Sequence, residues 1–316
     1  MAEVKNVATR VGFGTALVEL GKKRDDFIVM DADLAAATQT GMFKKAFPER
    51  FYDCGIAEQN MVGIAAGIAA TGKKVICSSF AMFAAGRAFE QIRNSVGYPH
   101  LNVIIAATHA GISVGEDGAT HQCNEDIALM RTIPGMTIIN PADETEAKKA
   151  VYAAIEHDGP IYMRFGRLAV PVVFDDDYKF EIGKGVELRE GNDVTIIATG
   201  LMVKEALEAH DLLKAEGINA RVINMATIKP LDTEIILKAA KETGAIVTAE
   251  EHSVIGGLGS AVSEYLSEVY PTPVIKLGVN DKFGHSGPAV KLLDEFGLRA
   301  VNIAEKVKRA ISLKKQ

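Results

Sequence analysis

The sequence predicts an α/β protein of two tandem three-layer domains, each built on a mainly parallel sheet. Short apolar runs alternate along the chain with longer segments of helical periodicity, which is the order expected of a β-α-β fold. The runs are continuously apolar, so helices are expected to cover both faces of each sheet. The 316 residues also exceed one ordinary core, and a change of composition near the middle divides the chain in two.

The first domain is predicted over residues 1–175. Its apolar runs have the length of strands, and the longer gaps between them carry helical patterns. The predicted strands are FIVMDAD (27–33), KVICSS (74–79), NVIIAAT (102–108), MTIIN (136–140) and IYMRF (161–165). The predicted helices are EQNMVGIAAGIAATG, RAFEQIRNSV and DETEAKKAVYAAIEH. This order favours parallel pairing of the strands.

An acidic segment marked by proline and glycine then interrupts the alternation. Residues 176–190 are predicted to form an exposed connector with a short hairpin, and a second domain is predicted over 191–316. Its predicted strands are VTIIAT, ARVINM, AIVTAE and TPVIKLG. Its predicted helices are MVKEALEAHDLLKAEG, DTEIILKAAKETG, LGSAVSEYLSEVY and NIAEKVKRAISL.

Composition excludes several classes of function. The formal net charge is -6 and no long basic run occurs, which argues against nucleic acid as a partner. Apolar stretches stop well short of the roughly 20 residues that a membrane span needs. Cys54, Cys77 and Cys123 lack CxxC spacing, which is typical of reduced thiols. We therefore expect a cytoplasmic protein without a membrane or nucleic-acid partner.

The segment HAGISVGEDGATHQ (109–122) follows a predicted strand and is rich in glycine and polar groups. Ligands of open α/β sheets bind at the carboxyl ends of strands. We expect the glycines to let a ligand approach the backbone, with Asp117 and His121 facing one cleft. The alternative is a solvated loop that caps the next helix. No HExxH or CxxC pattern supports a metal site formed by this chain.

Two further segments suggest a buried binding site. The helix beginning at Glu58 has no charge in its body, so we expect it to be buried on all sides, with Glu58 either a capping residue or a buried functional acid. Phe80 and Phe83 are three residues apart after a strand and form either core or a stacking surface for a planar ligand. GGLGS (256–260) lacks a full GxGxxG pattern and is interpreted as a tight turn before a helix.

Taken together, these segments resemble the transketolase family of thiamine diphosphate enzymes. The matching motifs occur in family order, and residues 190–316 also resemble the family's C-terminal domain, so the resemblance covers essentially the whole chain. The motifs are VATR, DADL, GIAEQNM, SSFAMF, THAGISVGEDGATHQ, NPAD and FGRLAVP. The run GEDGATHQ is the most specific of them, and the 1-deoxyxylulose-5-phosphate synthases share its outline.

The resemblance implies the C-terminal subunit of a split transketolase, with a pyrimidine-binding domain followed by the family's C-terminal domain. The GDG…N motif of the diphosphate-binding domain is absent from this sequence. A separate N-terminal subunit is therefore expected to bind the diphosphate and a divalent metal, Mg²⁺ or Ca²⁺. We expect a transferase of the pentose phosphate pathway that moves a two-carbon ketol unit between ketose and aldose phosphates. It is expected to self-associate as a dimer and to form a heterotetramer with its partner.

By resemblance, four residues contact the cofactor. Glu58 matches the catalytic glutamate that hydrogen-bonds N1′ of the aminopyrimidine. Phe80 and Phe83 match aromatic residues around the pyrimidine, and Asp33 matches an acid near the cofactor.

The resemblance also assigns five substrate-binding residues. His109 and His121 match histidines that contact substrate oxygens, and His121 is also expected to be catalytic. Asp117 matches an aspartate that binds a hydroxyl near the reacting carbons. Arg10 and Arg167 match arginines that hold a sugar phosphate, with spacing favouring Arg167 over Arg164.

The sequence departs from the family pattern at three positions. A phosphate-contacting serine falls near Ala37, with Thr38 adjacent, and Ala110 stands where many transketolases carry an acid. A third aromatic of the pyrimidine pocket is lost near Gly86. Three alternative functions remain: a beta subunit of a 2-oxo-acid dehydrogenase, part of a deoxyxylulose-phosphate synthase-like enzyme, and a non-catalytic subunit.

Overall fold

A computed structural model describes residues 5–314 of the chain. Its strands are β1 (Asn6–Val7), β2 (Phe27–Asp31), β3 (Phe51–Asp53), β4 (Lys74–Phe80), β5 (Val103–Thr108), β6 (Thr137–Ile139), β7 (Ile161–Arg164), β8 (Val170–Pro171), β9 (Val186–Arg189), β10 (Val194–Ala198), β11 (Ala220–Asn224), β12 (Thr227–Lys229), β13 (Ile246–Ser253) and β14 (Val274–Val279).

The helices lie between the strands, as the alternating pattern predicts. They are α1 (Thr9–Lys23), α2 (Ala35–Thr38), α3 (Gly41–Ala46), α4 (Glu58–Ala69), α5 (Phe89–Gln91), α6 (Asp126–Arg131), α7 (Glu144–Glu156), α8 (Met202–Ala215), α9 (Thr233–Thr243), α10 (Leu258–Val269), α11 (Ala289–Glu295) and α12 (Ala300–Ser312). Wide π-helical turns flank α5 at Met82–Arg87 and Ile92–Gly97, and a 3₁₀ segment spans Ile112–Asp117.

Two mainly parallel sheets organise the fold, which confirms the predicted class. The larger sheet has the strand order β12-β6-β7-β5-β4-β2-β3, and the smaller has β14-β13-β10-β11-β9. Only the edge strands β12 and β9 run antiparallel to their neighbours in these sheets, as the structure describes them. Buried side chains cover both faces of the central strands, because helices pack on each side.

The two halves of the chain are joined more closely than the sequence suggests. Strand β12 comes from the second half but completes the first sheet by pairing with β6. Strand β9 lies inside the predicted connector, and it pairs with β11 of the second sheet instead of forming a local hairpin. One apolar core is continuous between the halves, since Met130 and Ile138 share a cluster with Ile223.

The first sheet gathers the segments singled out in the sequence. Strands β2, β4, β5 and β7 are parallel, so their carboxyl ends lie at one edge. Asp31, Phe80, Thr108 and Arg164 end these strands. The loops that follow them therefore meet at the edge where α/β proteins bind ligands.

Helix α4 differs from its prediction. Burial on all sides was expected, but one face is exposed within this chain at Gly63, Ile64 and Gly67. A methyl group added at either glycine meets no atom within 4 Å. Charge is absent from this face although water can reach it. Separately, none of the helices among residues 5–314 is long and apolar enough to cross a membrane.

Candidate active site

Four rings from three separate segments form an aromatic cluster, defined as Phe80, Phe83, His109 and His121. The Phe80 ring stacks on His109 with 3.9 Å between ring centroids, and it lies nearly parallel to Phe83 at 5.8 Å. The edge of His121 meets Phe83 at 5.2 Å. The structure therefore brings together four of the residues that the sequence proposes for cofactor and substrate.

Glu58 lies beside this cluster at the first turn of α4. Its side chain is only 2% exposed, and Arg87 Nη1 donates to both carboxylate oxygens at 2.9 and 3.0 Å. The Arg87 guanidinium also lies 4.7 Å from the Phe83 ring centroid. A buried carboxylate needs such a partner, because removing an unpaired charge from water is costly. Sequence reasoning missed Arg87, which only the π-helical turn at 82–87 brings to Glu58.

Arg10 and Arg167 converge on His109 from distant segments. Burial, together with the charges of Arg10, Arg167 and His121, lowers the pKa of His109 to about 3. Its imidazole is therefore neutral in the working range of most enzymes. Burial lowers the pKa of Arg10 as well, and the charge of Arg167 adds to this. Two cations at such close range form a region where an anionic group is stabilised.

The two arginines are held by local contacts. Arg10 donates to the Ala37 carbonyl, so the chain at position 37 contributes a backbone acceptor where the family pattern has a serine. Arg167 donates to the Val114 carbonyl and to Glu116 at 2.7 Å. Both side chains are thus directed toward the loops at the strand ends.

Arg164 has a different environment from Arg167. It is 3% exposed, and its Nε donates to Asp126 at 2.8 Å while its Nη2 donates to the Glu251 carbonyl at 2.9 Å. A guanidinium enclosed in this way is not available to a substrate. Arg167 is 37% exposed in its side chain and is the arginine of this segment that reaches the loop.

The glycines of the 111–118 loop allow it to pack closely against the second half of the chain. Gly111, Gly115 and Gly118 all have positive φ, which side chains disfavour. A Cβ at Gly111 would lie 2.5 Å from the Glu251 carboxyl carbon, and one at Gly118 would lie 2.5 Å from Ser286 Oγ. The second half therefore leaves no room for a side chain at Gly111 or Gly118, and the approach of a ligand to this backbone stays a prediction. Asp117 at the end of the loop is exposed.

Among residues 5–314, the structure shows no contact between Asp33 and the aromatic cluster. It is exposed, and its backbone N–H donates to Asp53 at 3.0 Å. The buried acid of this segment is Asp31, which accepts from the hydroxyls of Thr38 and Thr40 at 2.7 Å each. Thr38 is fully buried by these contacts, so its hydroxyl does not replace the missing serine.

The arrangement fits one half of a large cofactor. A flat aromatic face with a buried carboxylate at its edge suits a planar heteroaromatic ring that offers hydrogen-bond donors. Within residues 5–314, no three His, Cys, Asp or Glu side chains are grouped to hold a metal ion.

Comparison with known proteins identifies the family. Residues 5–172 match the transketolase pyrimidine-binding domain, and residues 183–303 match the transketolase C-terminal domain. The chain belongs to the transketolase family. This confirms the resemblance inferred from the sequence motifs.

Relatives from this family match the chain along almost its whole length. A protein of Methanocaldococcus jannaschii described as a transketolase C-terminal section is 52% identical over 301 residues, covering 94% of each chain. A 6-deoxy-6-sulfo-D-fructose transketolase subunit of Clostridium sp. is 45% identical over 287 residues, which cover 91% of this chain and 89% of the relative. The solved structure of a split gene transketolase, described as an inactive beta4 tetramer, has a TM-score of 0.90 at 53% identity and covers 98% of this chain and 100% of that one.

Proposed function

We propose that this chain is the C-terminal subunit of a thiamine diphosphate-dependent transketolase whose diphosphate-binding half is a separate N-terminal subunit. The observation that carries the proposal is the buried carboxylate of Glu58 beside the aromatic cluster, next to the loop that contains GEDGATHQ. The reaction is transfer of a two-carbon ketol unit from a ketose phosphate to an aldose phosphate. We assign it to the pentose phosphate pathway and expect it in the cytoplasm.

Thiamine diphosphate supplies the carbon nucleophile and the electron sink for this chemistry when it is bound. In our proposal Glu58 holds a proton at N1′ of the aminopyrimidine and so controls its tautomer, while Phe80 and Phe83 hold the ring. Each Glu58 oxygen accepts one hydrogen bond from Arg87 and keeps a lone pair for this contact. Asp33 remains a weaker candidate for a cofactor contact because it is exposed. The partner subunit is proposed to hold the diphosphate with Mg²⁺ or Ca²⁺.

The proposed contacts with the substrate are based on the charges of the side chains around His109. Arg10 and Arg167 are assigned to the terminal anion of the sugar, because two guanidinium groups suit a phosphate dianion. His109, being neutral, can donate one hydrogen bond to a substrate oxygen or accept one from a substrate hydroxyl, and it does not repel the arginines. Asp117 is assigned to a hydroxyl near the reacting carbons. His121 is assigned to the oxygens at the bond that breaks, where it acts as a proton carrier.

The exposed face of α4 is proposed to lie against a second subunit. Ile56, two residues before Glu58, is 78% exposed, and Ile64 in α4 is 40% exposed. Apolar side chains at the rim of a catalytic cluster are typical of a surface that another chain covers. We propose a heterotetramer of two copies of each subunit, with this chain also able to dimerise.

The chain alone is expected to be inactive, and activity should appear when an N-terminal subunit carrying a GDG…N motif is added. The physical reason is that this sequence lacks the GDG…N motif, and no three His, Cys, Asp or Glu side chains among residues 5–314 are grouped to hold a metal ion. Ketol transfer and thiamine diphosphate binding should be measured with each subunit alone and with both. Transfer of comparable rate by this chain alone would contradict the split-subunit proposal, and so would a mixture that neither associates nor reacts.

Arg167→Ala in the two-subunit enzyme should raise KM for fructose 6-phosphate by about 10- to 100-fold, because a charge-assisted hydrogen bond to the anion is lost. KM for hydroxypyruvate, which has no phosphate, should change much less. Arg309→Ala, at an exposed position in α12, is the control and should affect neither donor. Equal losses on both donors would show that Arg167 supports the loop through Glu116 instead of binding phosphate.

A further inference from the structure

The tripeptide Glu250-Glu251-His252 at the end of β13 is buried and consists of titratable residues, and the proposed function does not use it. All three residues are at most 3% exposed. Glu250 accepts hydrogen bonds from the backbone N–H groups of Leu258 and Gly259 at 2.7 and 2.8 Å. It therefore fills the N-terminus of α10, which leaves the GGLGS segment as a structural turn.

The other two residues reach the first half of the chain. His252 Nε2 accepts from the Ala128 N–H in α6 at 3.3 Å, while its Nδ1 donates to the Ser253 carbonyl at 2.7 Å. Glu251 Oε1 accepts from the Ser113 N–H at 2.6 Å. The end of β13 thus caps α10 of the second half, and it contacts α6 and the 3₁₀ segment Ile112–Asp117 of the first half.

The contact of Glu251 falls on the loop of the candidate active site. Ser113 lies in the 3₁₀ segment Ile112–Asp117, which carries Asp117 and leads to His121. The Glu251 carboxylate occupies the space that a side chain at Gly111 would need. The loop therefore packs closely against this carboxylate.

Glu251 is also tied to the buried ion pair beneath the loop. Burial raises the pKa of Glu251, whereas the nearby charge of Arg164 and the Ser113 hydrogen bond act in the opposite direction. Arg164 donates to the Glu251 carbonyl as well as to Asp126. The backbone of β13 is therefore fixed where the carboxylate projects toward Ser113.

We propose that Glu251 is a positioning residue, which holds the loop bearing Asp117 for substrate through its hydrogen bond to the Ser113 N–H. This rests on the proposed function in that the loop is taken to contact the sugar. In this proposal the second half of the chain contributes to substrate binding, although it does not contact the substrate.

The first test measures the loop directly, in the full chain without cofactor. Glu251→Ala should accelerate amide hydrogen–deuterium exchange over residues 112–117, followed by mass spectrometry. Glu251→Gln should restore most of the protection, because the glutamine oxygen can still accept the Ser113 N–H. Glu250→Ala is the matched control, since it removes a buried carboxylate from the same strand but disturbs α10. Equal exchange over 112–117 in the Glu250 and Glu251 variants would overturn the proposal.

The second test uses the two-subunit enzyme. Glu251→Ala should raise KM for fructose 6-phosphate by about tenfold or more, because a small displacement of a positioning group can cost up to about 100-fold. Exchange of the cofactor C2 proton, which depends on Glu58, should stay near the wild-type rate. Unchanged KM together with unchanged loop exchange would overturn the role of Glu251. Absence of ketol transfer in the wild-type complex would instead contradict the proposed function, while the exchange of residues 112–117 would still decide what Glu251 does.

Discussion

Replacing Glu58 with glutamine in the two-subunit enzyme should lower ketol transfer by about 100- to 10,000-fold, the range usual for loss of a general acid–base group. Glutamine has nearly the same shape and fills the same buried position. It lacks the carboxylate that would exchange a proton with N1′ of the aminopyrimidine. The loss should therefore fall on kcat, with the fold of the chain retained.

Exchange of the cofactor C2 proton for deuterium measures this step separately from sugar binding. The rate should fall in Glu58→Gln to a similar degree as turnover. Glu90→Gln, at an exposed position in α5, provides the control and should keep both rates. If C2 exchange in Glu58→Gln were unchanged, Glu58 would be only the first-turn acid of α4 and the ion-pair partner of Arg87.

Replacing Arg164 with methionine should lower the free energy of unfolding by about 3–5 kcal/mol, because it leaves the Asp126 carboxylate buried without its cation. Asp126 is fully buried, and it accepts from Arg164 Nε and from the Tyr162 hydroxyl at 2.8 Å each. Arg164 also spans the two halves of the chain by donating to the Cys123 and Glu251 carbonyls.

Urea unfolding of the full chain, followed by circular dichroism, measures this effect. The double variant Asp126→Asn with Arg164→Met should recover part of the loss, since the uncompensated charge is then gone. Lys184→Met breaks an ion pair with Glu234 at the surface and should cost no more than about 1 kcal/mol. A loss as small for Arg164→Met as for Lys184→Met would mean that water or another group compensates Asp126.

The sequence alone was sufficient for the fold class, and it proposes a region for the site. Continuous apolar runs between helical segments predict parallel strands, and the polar segment just after Thr108, with the aromatic pair Phe80 and Phe83 after a neighbouring strand, predicts a site at one sheet edge. The inference of the fold class succeeds because it depends on local periodicity, and the proposed place of the site follows from the shared direction of parallel strands. The family motifs then indicated which residues to compare.

Only the tertiary structure decided which groups face one another. Arg87 pairs with Glu58 because a wide π-helical turn brings it back to α4, and no sequence spacing shows that. Arg164 and Arg167 are three residues apart, yet one is enclosed between the halves and the other reaches the loop.

The same distinction explains the glycines and Glu251. A glycine-rich loop is visible in the sequence, but the sequence does not show that the Glu251 carboxylate fills the space beside Gly111. The same carboxylate accepts a hydrogen bond from the Ser113 N–H, which is 138 residues away in the chain. Local patterns determine helices, strands and their order, because those depend on neighbouring residues. Partners across the two halves depend on how the sheets pack, and that packing is fixed only when the whole chain folds.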